Sequence, residues 1–503
     1  MNKGKKSIIN AVTALSQMIV ICVVGLVLNK TIIMMCGSDY NGINSTVTQV
    51  VNALMVLEGG FTLASNVALF SPFSKGDTST VNEILAATNI RFRTVGIIAL
   101  LSGGCIAFLL PLVVTSEMPK WMIIAIMFTA LLPACFNLGI TMKYRLLILT
   151  DQKEYVISII TTISNLAGSI FAVIALMAGK SLLIARVIIM ISFFLNYIGI
   201  IVYSKRKYPS YKYSGKPSFE KIKGTWSVLI MKLTSMFYLS FPIIVIATLP
   251  VNGAALASVY AVYRAVMTVV SNSLSSLINA PRLGFGALFA ENRIKDAEKY
   301  FQQYELITCV ALSSVLGATG LLLMPFVELY TTGITDINYI DNTMAIIMLL
   351  TIMFEIIHIP SGQMIQMKGD FTASRRIQSI ACIVLVVSMG IARLYFGLYG
   401  IIAAVLFAAI IIAGMEIVYT GRIIFKRKIN NFLKNVLPCI VVCGVMTYIG
   451  LSGVIHFSSY LSFAAFGGLL FIGVVAITFI AYGLVDYSAV KEMMVKIIKT
   501  IRQ

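Results

Sequence analysis

The chain has 503 residues, 59% of them hydrophobic and only 12% charged, and its mean hydropathy is +0.93. That composition excludes a secreted enzyme, a nucleic-acid-binding domain and a disordered scaffold, and it identifies a polytopic helical membrane protein. The 39 Lys+Arg against 20 Asp+Glu, net +19, then report orientation and contact with anionic lipids, with no nucleic acid as partner.

A crossing of the bilayer core takes about 20 apolar residues, and the hydropathy pattern predicts an all-α chain of fourteen spans. They lie near 8–29, 44–70, 94–115, 119–141, 155–178, 182–203, 226–250, 254–279, 304–330, 343–366, 377–397, 398–420, 435–453 and 459–483. Lys3, Lys5 and Lys6 precede the first span as in a signal peptide, but the segment is too long and no small-residue cleavage site follows, so it is expected to stay as a helix. With that end in the cytoplasm, only Lys30, Lys120, Lys180 and Arg393 fall at external ends, while Arg186, Lys232 and Arg264 fall inside spans. All other basic residues are then cytoplasmic, as the positive-inside rule requires, and both termini are inside.

After the second span, Thr80 and Glu83 form a capping box that predicts a surface helix to Asn89, and Asp296 to Tyr304 reads likewise. The longest basic connection, 205–225, separates six spans from six. An offset of 220 aligns Tyr40 with Tyr260, Thr48 with Thr268, Val50 with Val270, Asn52 with Asn272 and Leu54 with Leu274. The turns at Asp151-Gln152 and Gly369-Asp370 fall at a similar spacing, which predicts parallel repeats. The expected organisation is an N-terminal lobe 1–204, a basic linker 205–225, a C-terminal lobe 226–420, two additional spans 421–485 and an amphipathic cytoplasmic tail 486–503. In that tail Val490, Met493, Met494, Ile497, Ile498 and Ile501 recur at helical spacing. The eight cysteines sit mostly in spans without a CxxC pair; Cys439 and Cys443 read as packing residues, and no disulfide or metal site is expected.

Ionisable residues deep in a membrane cost at least ~2.5 kcal/mol against lipid, so they line cavities, pair or snorkel. Lys30, Lys180, Arg186 and Arg393 lie near external ends and Glu416 near a cytoplasmic end, where snorkelling accounts for them. Four lie deeper: Glu58, Lys232, Arg264 and Glu355. On a helical wheel Arg264 shares one stripe with Tyr260, Thr268, Ser271, Ser275 and Asn279, and the second span carries a stripe of Asn41, Ser45, Thr48, Asn52, Gly59 and Asn66. Single Ser or Thr residues on such helices are usually interhelical glue, whereas two repeat-related stripes favour a water-filled cavity. A guanidinium there suits a diphosphate, gripping its oxygens bidentately, and Lys232 adds a second positive charge. The competing arrangement is a salt bridge from Arg264 or Lys232 to Glu58 or Glu355. Glu355 and His358, at i, i+3, resemble half of a carboxylate-bridged metal motif whose other half is missing; a polar pair in the cavity wall or an ion-coupling site is expected instead. No ATP-binding phosphate loop, nucleophile elbow or metal-ligand cluster occurs, so neither enzyme chemistry nor a cofactor is expected.

The run Gly37-Ser38-Asp39-Tyr40-Asn41-Gly42-Ile43-Asn44, then Leu57-Glu58-Gly59-Gly60 with Ala64, and Phe70-Ser71-Pro72-Phe73, resembles the polysaccharide biosynthesis proteins of the multidrug/oligosaccharidyl-lipid/polysaccharide exporter superfamily, the bacterial lipid-linked oligosaccharide flippases. Cys36 stands where that family usually has Leu, and Gly59 adds a second glycine. The resemblance implies two six-helix lobes in a MATE-like arrangement around a cavity that opens alternately to each side of the bacterial plasma membrane. It also implies a polyprenyl-diphosphate-linked sugar as cargo, membrane lipids and H+ or Na+ as further ligands, and a polysaccharide polymerase as a partner. A related cation-coupled drug antiporter, with Glu58 and Glu355 as the cation binders and Arg264 structural, is the alternative. A polymerase or ligase would need a large external loop, and none exceeds about 20 residues.

Overall fold

A computed structural model describes residues 3–502 apart from 214, 221, 223, 224, 280, 428 and 429, and leaves certain side chains, those of Lys232 and Ser235 among them, outside the described set. The described residues form helices and connections. Helix α1 (Lys3–Cys36) is followed by α2 (Ser38–Ser74), α3 (Thr78–Val113), α4 (Lys120–Thr150), α5 (Glu154–Met177), α6 (Leu182–Lys207), α7 (Thr225–Ala247) and α8 (Gly253–Ile278). A short helix, Arg282–Ala290, leads to α9 (Ile294–Thr331) and α10 (Asn342–Met367).

The continuous run Phe371–Ile424 is two rods, α11 (371–396) and α12 (398–424), joined at Gly397. Its φ of +53° is a left-handed value that favours glycine. The last spans are α13 (Asn430–Leu451) and α14 (460–485). Among the described residues eleven helices are long and apolar enough to cross a membrane, and one of these is the α11–α12 pair. With the more polar α2 and with α7, whose described apolar stretch is Met236–Ala247, they account for the fourteen expected spans. The chain is an all-helical, multi-pass membrane protein.

Two surface helices expected from sequence are instead the first turns of long spans. Asp77, not Thr80, caps α3: its carboxylate accepts from the Thr80 backbone N–H at 3.0 Å, and the helix runs unbroken to Val113. Asp296 to Tyr304 is likewise continuous with α9. The tail does restart: α14 breaks at Asp486, whose carboxylate accepts from the Ala489 backbone at 3.0 Å and the Ser488 hydroxyl at 2.8 Å. Those bonds hold the Asp486 carboxyl below its ordinary value. Beyond it Val490 and Met493 are buried while Lys491 is exposed, the two sides of an amphipathic helix.

The chain packs as two compact units, 1–261 with 334–337, and 262–333 with 338–503. In the first, α2 lies along α7, α1 and α6 flank α5, and α3 packs on α4. The crossing of α2 with the start of α8 is so close that a Cβ on Gly42 would fall 1.6 Å from the Ala254 carbonyl oxygen. A buried core of Leu69, Leu85, Phe92, Leu146 and Ile200 fills one end of this unit. In the second unit α9 is buried along most of its length, and α13 and α14 close over it through Ala318, Leu321, Val442, Met446 and Val474. The two additional spans are therefore packed into the second unit.

Candidate functional site

Two charges of the second unit meet as an ion pair. Arg264 Nη1 on α8 stands 3.9 Å from Glu355 Oε1 on α10, with side chains 18% and 15% exposed. This is longer than a hydrogen bond, and Glu355 Oε1 is buried without a hydrogen-bond donor. One residue before Arg264, Tyr263 anchors a hydrogen-bond network. The Tyr263 hydroxyl donates to the Tyr339 carbonyl at 2.8 Å and accepts from the Asp341 backbone N–H at 3.1 Å. Asp341 in turn caps α10 through the Met344 N–H at 2.9 Å and accepts from the Tyr399 hydroxyl at 2.9 Å. Helices α8, α10 and α12 are so tied together at one end.

Further along α8, Ser271 and Ser275 are half-buried, Thr268 is exposed, and Asn279 accepts from Gln363 at 2.6 Å. Tyr260 departs from the expected stripe. It is buried and belongs to the first unit, because the α2–α8 crossing at Gly42 packs this end of the helix tightly.

The stripe on α2 is also divided. At its ends it acts as glue: Asn41 donates to Ser258 at 2.7 Å, and Asn66 accepts from Thr150 at 3.0 Å. Between them Thr48 is half-buried and Asn52 exposed, so the middle of the helix offers polar groups outward. Glu58, half-buried, accepts from Thr62 at 3.1 Å and lies within electrostatic reach of Tyr197. The Lys232 side chain lies outside the described residues.

Three expectations are corrected. His358 does not share a face with Glu355, because α10 bends there, ahead of Pro360, and the imidazole Nδ1 instead sits 2.7 Å from Glu416 Oε2. Glu416, read as a snorkelling residue, is buried, and Gly362 makes room for it: a Cβ there would fall 2.4 Å from its carboxylate. Arg186 does not snorkel freely either, since its Nε and Nη2 are buried without hydrogen-bond partners.

The bend in α10 has a counterpart. Helix α4 is interrupted by a π-helical turn, Asn137–Thr141, which the offset of 220 maps onto 357–361.

No protein-family model matches the chain, and no curated protein matches it. Solved structures do. A multidrug resistance MATE family transporter of the MOP superfamily, in an inward-facing conformation, superposes with a TM-score of 0.59 at 14% identity, over 83% of this chain and 94% of that one. The fold is the MATE fold. The MATE multidrug transporter DinF-BH, in a ligand complex, gives 0.58 at 14% identity, over 83% and 95%. A MOP superfamily transporter from Pyrococcus furiosus, described as having a binding pocket of reverse polarity, gives 0.50 at 14% over 87% and 96%. At these identities the likeness speaks for the MATE fold alone, and these neighbours are transporters. In this MATE-like chain the interruptions of α4 and α10 lie about 220 positions apart.

Proposed function

We propose that the protein is a flippase that carries a polyprenyl-diphosphate-linked oligosaccharide from the cytoplasmic to the outer face of the bacterial plasma membrane by alternating access of the lobes 1–204 and 226–420. The sugar and diphosphate cannot cross hydrocarbon unaided, while the polyprenyl tail stays in lipid. The observation that carries the reading is the Arg264–Glu355 pair: a guanidinium held at membrane depth by a carboxylate too far away for a hydrogen bond. A diphosphate offers a guanidinium bidentate, charge-assisted bonds. When Arg264 turns to the cargo, Glu355 loses its counter-charge. A lone carboxylate at that depth is costly, so it takes up H+ or Na+ until Arg264 returns. Lys232, Thr48, Asn52, Ser271 and Ser275 are the further cargo contacts in this reading, and Glu58 is the corresponding ion-coupling carboxylate of the first lobe. Tyr260 is left to packing.

A cation-coupled drug antiporter of the same superfamily is the second reading, favoured by the multidrug transporters among the structural neighbours. Reconstituted vesicles separate the two. A flippase moves a short polyprenyl-diphosphate sugar to the far leaflet and leaves cationic dyes where they are. Dye efflux without lipid flipping would establish the antiporter.

A further inference from the structure

Apart from the ion pair, the second unit contains a cavity of about 400 Å³ between the end of α8, the short helix Arg282–Ala290 and α9. Its walls are apolar: Leu277, Phe285, Leu288, Tyr304, Ile307 and Ala311 line it. The Tyr304 hydroxyl donates to the Ile278 carbonyl at 2.5 Å and so braces α9 against α8 across the cavity. Along α9 the lining runs from Tyr300 to Ala311, roughly 16 Å at 1.5 Å per residue, which is about half of the ~30 Å hydrocarbon core. A slot of that length matches the depth of one leaflet.

Two basic residues flank the lining in the sequence. Arg282 adjoins the lining residue Pro281, Lys299 adjoins the lining residue Tyr300, and both are exposed. Among the described residues neither makes an ion pair. Of the nearby carboxylates, Arg293 holds Asp296 at 2.8 Å and Glu291 at 3.3 Å, Glu492 of the tail accepts from Gln303 at 2.9 Å, and Glu298 lies next to Lys299 in the sequence.

We propose that this cavity is a binding site for one anionic phospholipid, with an acyl chain in the slot between α8 and α9 and the headgroup phosphate between Arg282 and Lys299. The site is independent of the cargo reading, since it uses neither Arg264 nor either lobe's coupling carboxylate. The short helix then serves as its wall, with Phe285 and Leu288 against the chain.

Native mass spectrometry of the full chain, released from nanodiscs of phosphatidylglycerol and phosphatidylcholine, tests it. The wild type should retain one phosphatidylglycerol in preference to phosphatidylcholine. Arg282→Gln with Lys299→Gln, both surface changes, should lower that preference at least fivefold, since each basic residue near an anionic surface contributes roughly fivefold. Ala311→Phe, which fills the slot, should lose the retained lipid of either kind. An unchanged preference in the double variant, or an unchanged lipid count in Ala311→Phe, overturns the proposal. Retention by a folded wild type of no lipid at all overturns it equally.

Discussion

The carboxylate of Asp336 caps α2 at Ser38: Oδ2 accepts from the Ser38 backbone N–H at 2.6 Å and Oδ1 from its hydroxyl at 2.8 Å. The two residues are 298 positions apart, and the four-residue strap 334–337 leaves the second unit to join the first. Negative charge at a helix N-terminus satisfies its free N–H groups. Asp336→Ala is expected to cost about 1 kcal/mol of stability, read as a lower unfolding temperature in detergent.

Glu305 and Arg427 form a buried ion pair, with side chains 3% and 7% exposed, and the guanidinium lies over the Phe301 ring at 4.8 Å. Glu305 Oε2 and Arg427 Nη1 have no hydrogen-bond partner. Removing one member of such a pair leaves a buried charge, a loss of about 3–5 kcal/mol, whereas replacing both by apolar residues is close to neutral. Arg427→Met should thus destabilise strongly and Arg427→Met with Glu305→Met only weakly, measured by unfolding in detergent. Equal losses in the two variants would contradict this.

His456, in the connection before α14, lies 2.8 Å from Glu328, and that bond and charge raise its pKa above the ordinary 6.5. A raised folded value means that the contact is fully formed below about pH 6.5 and is lost as pH rises through the raised value. Both groups are well exposed, so the effect should shrink with salt. NMR titration of His456 should return its midpoint toward 6.5 in Glu328→Gln; a midpoint that does not move assigns the shift to another cause.

Cysteine labelling should find Asp39, Asp336 and Ser458 on the outer side and Lys295 on the cytoplasmic side. Any one of these on the opposite side would contradict the orientation drawn from the basic residues.

The spans were legible in the sequence because hydropathy over about 20 residues is a local property, and the turn at Gly397 separates α11 from α12 where the pattern places it. Arg264 and Glu355 were legible as buried charges for the same reason. Their partners were less so. Nothing local connects His358 with Glu416, 58 residues on; only the bend ahead of Pro360 swings the imidazole away from Glu355. Asp77 was missed because Thr80 and Glu83 satisfy the same capping pattern three residues later, and the burial of Tyr260, named on the stripe, was not legible because a wheel position does not tell how close a neighbouring helix approaches.

The claim on which the account turns is that Arg264 binds the cargo's diphosphate and that Glu355 is its resting partner. Flipping of a short polyprenyl-diphosphate sugar should be measured in vesicles with Arg264→Ala, Arg264→Lys, Glu355→Ala and the double variant Arg264→Ala with Glu355→Ala, each checked for insertion. The account predicts no flipping by Arg264→Ala, a part retained by Arg264→Lys, and no flipping by the double variant. Recovery in the double variant would mean that Arg264 only neutralises Glu355, and would contradict its role as the diphosphate-binding residue.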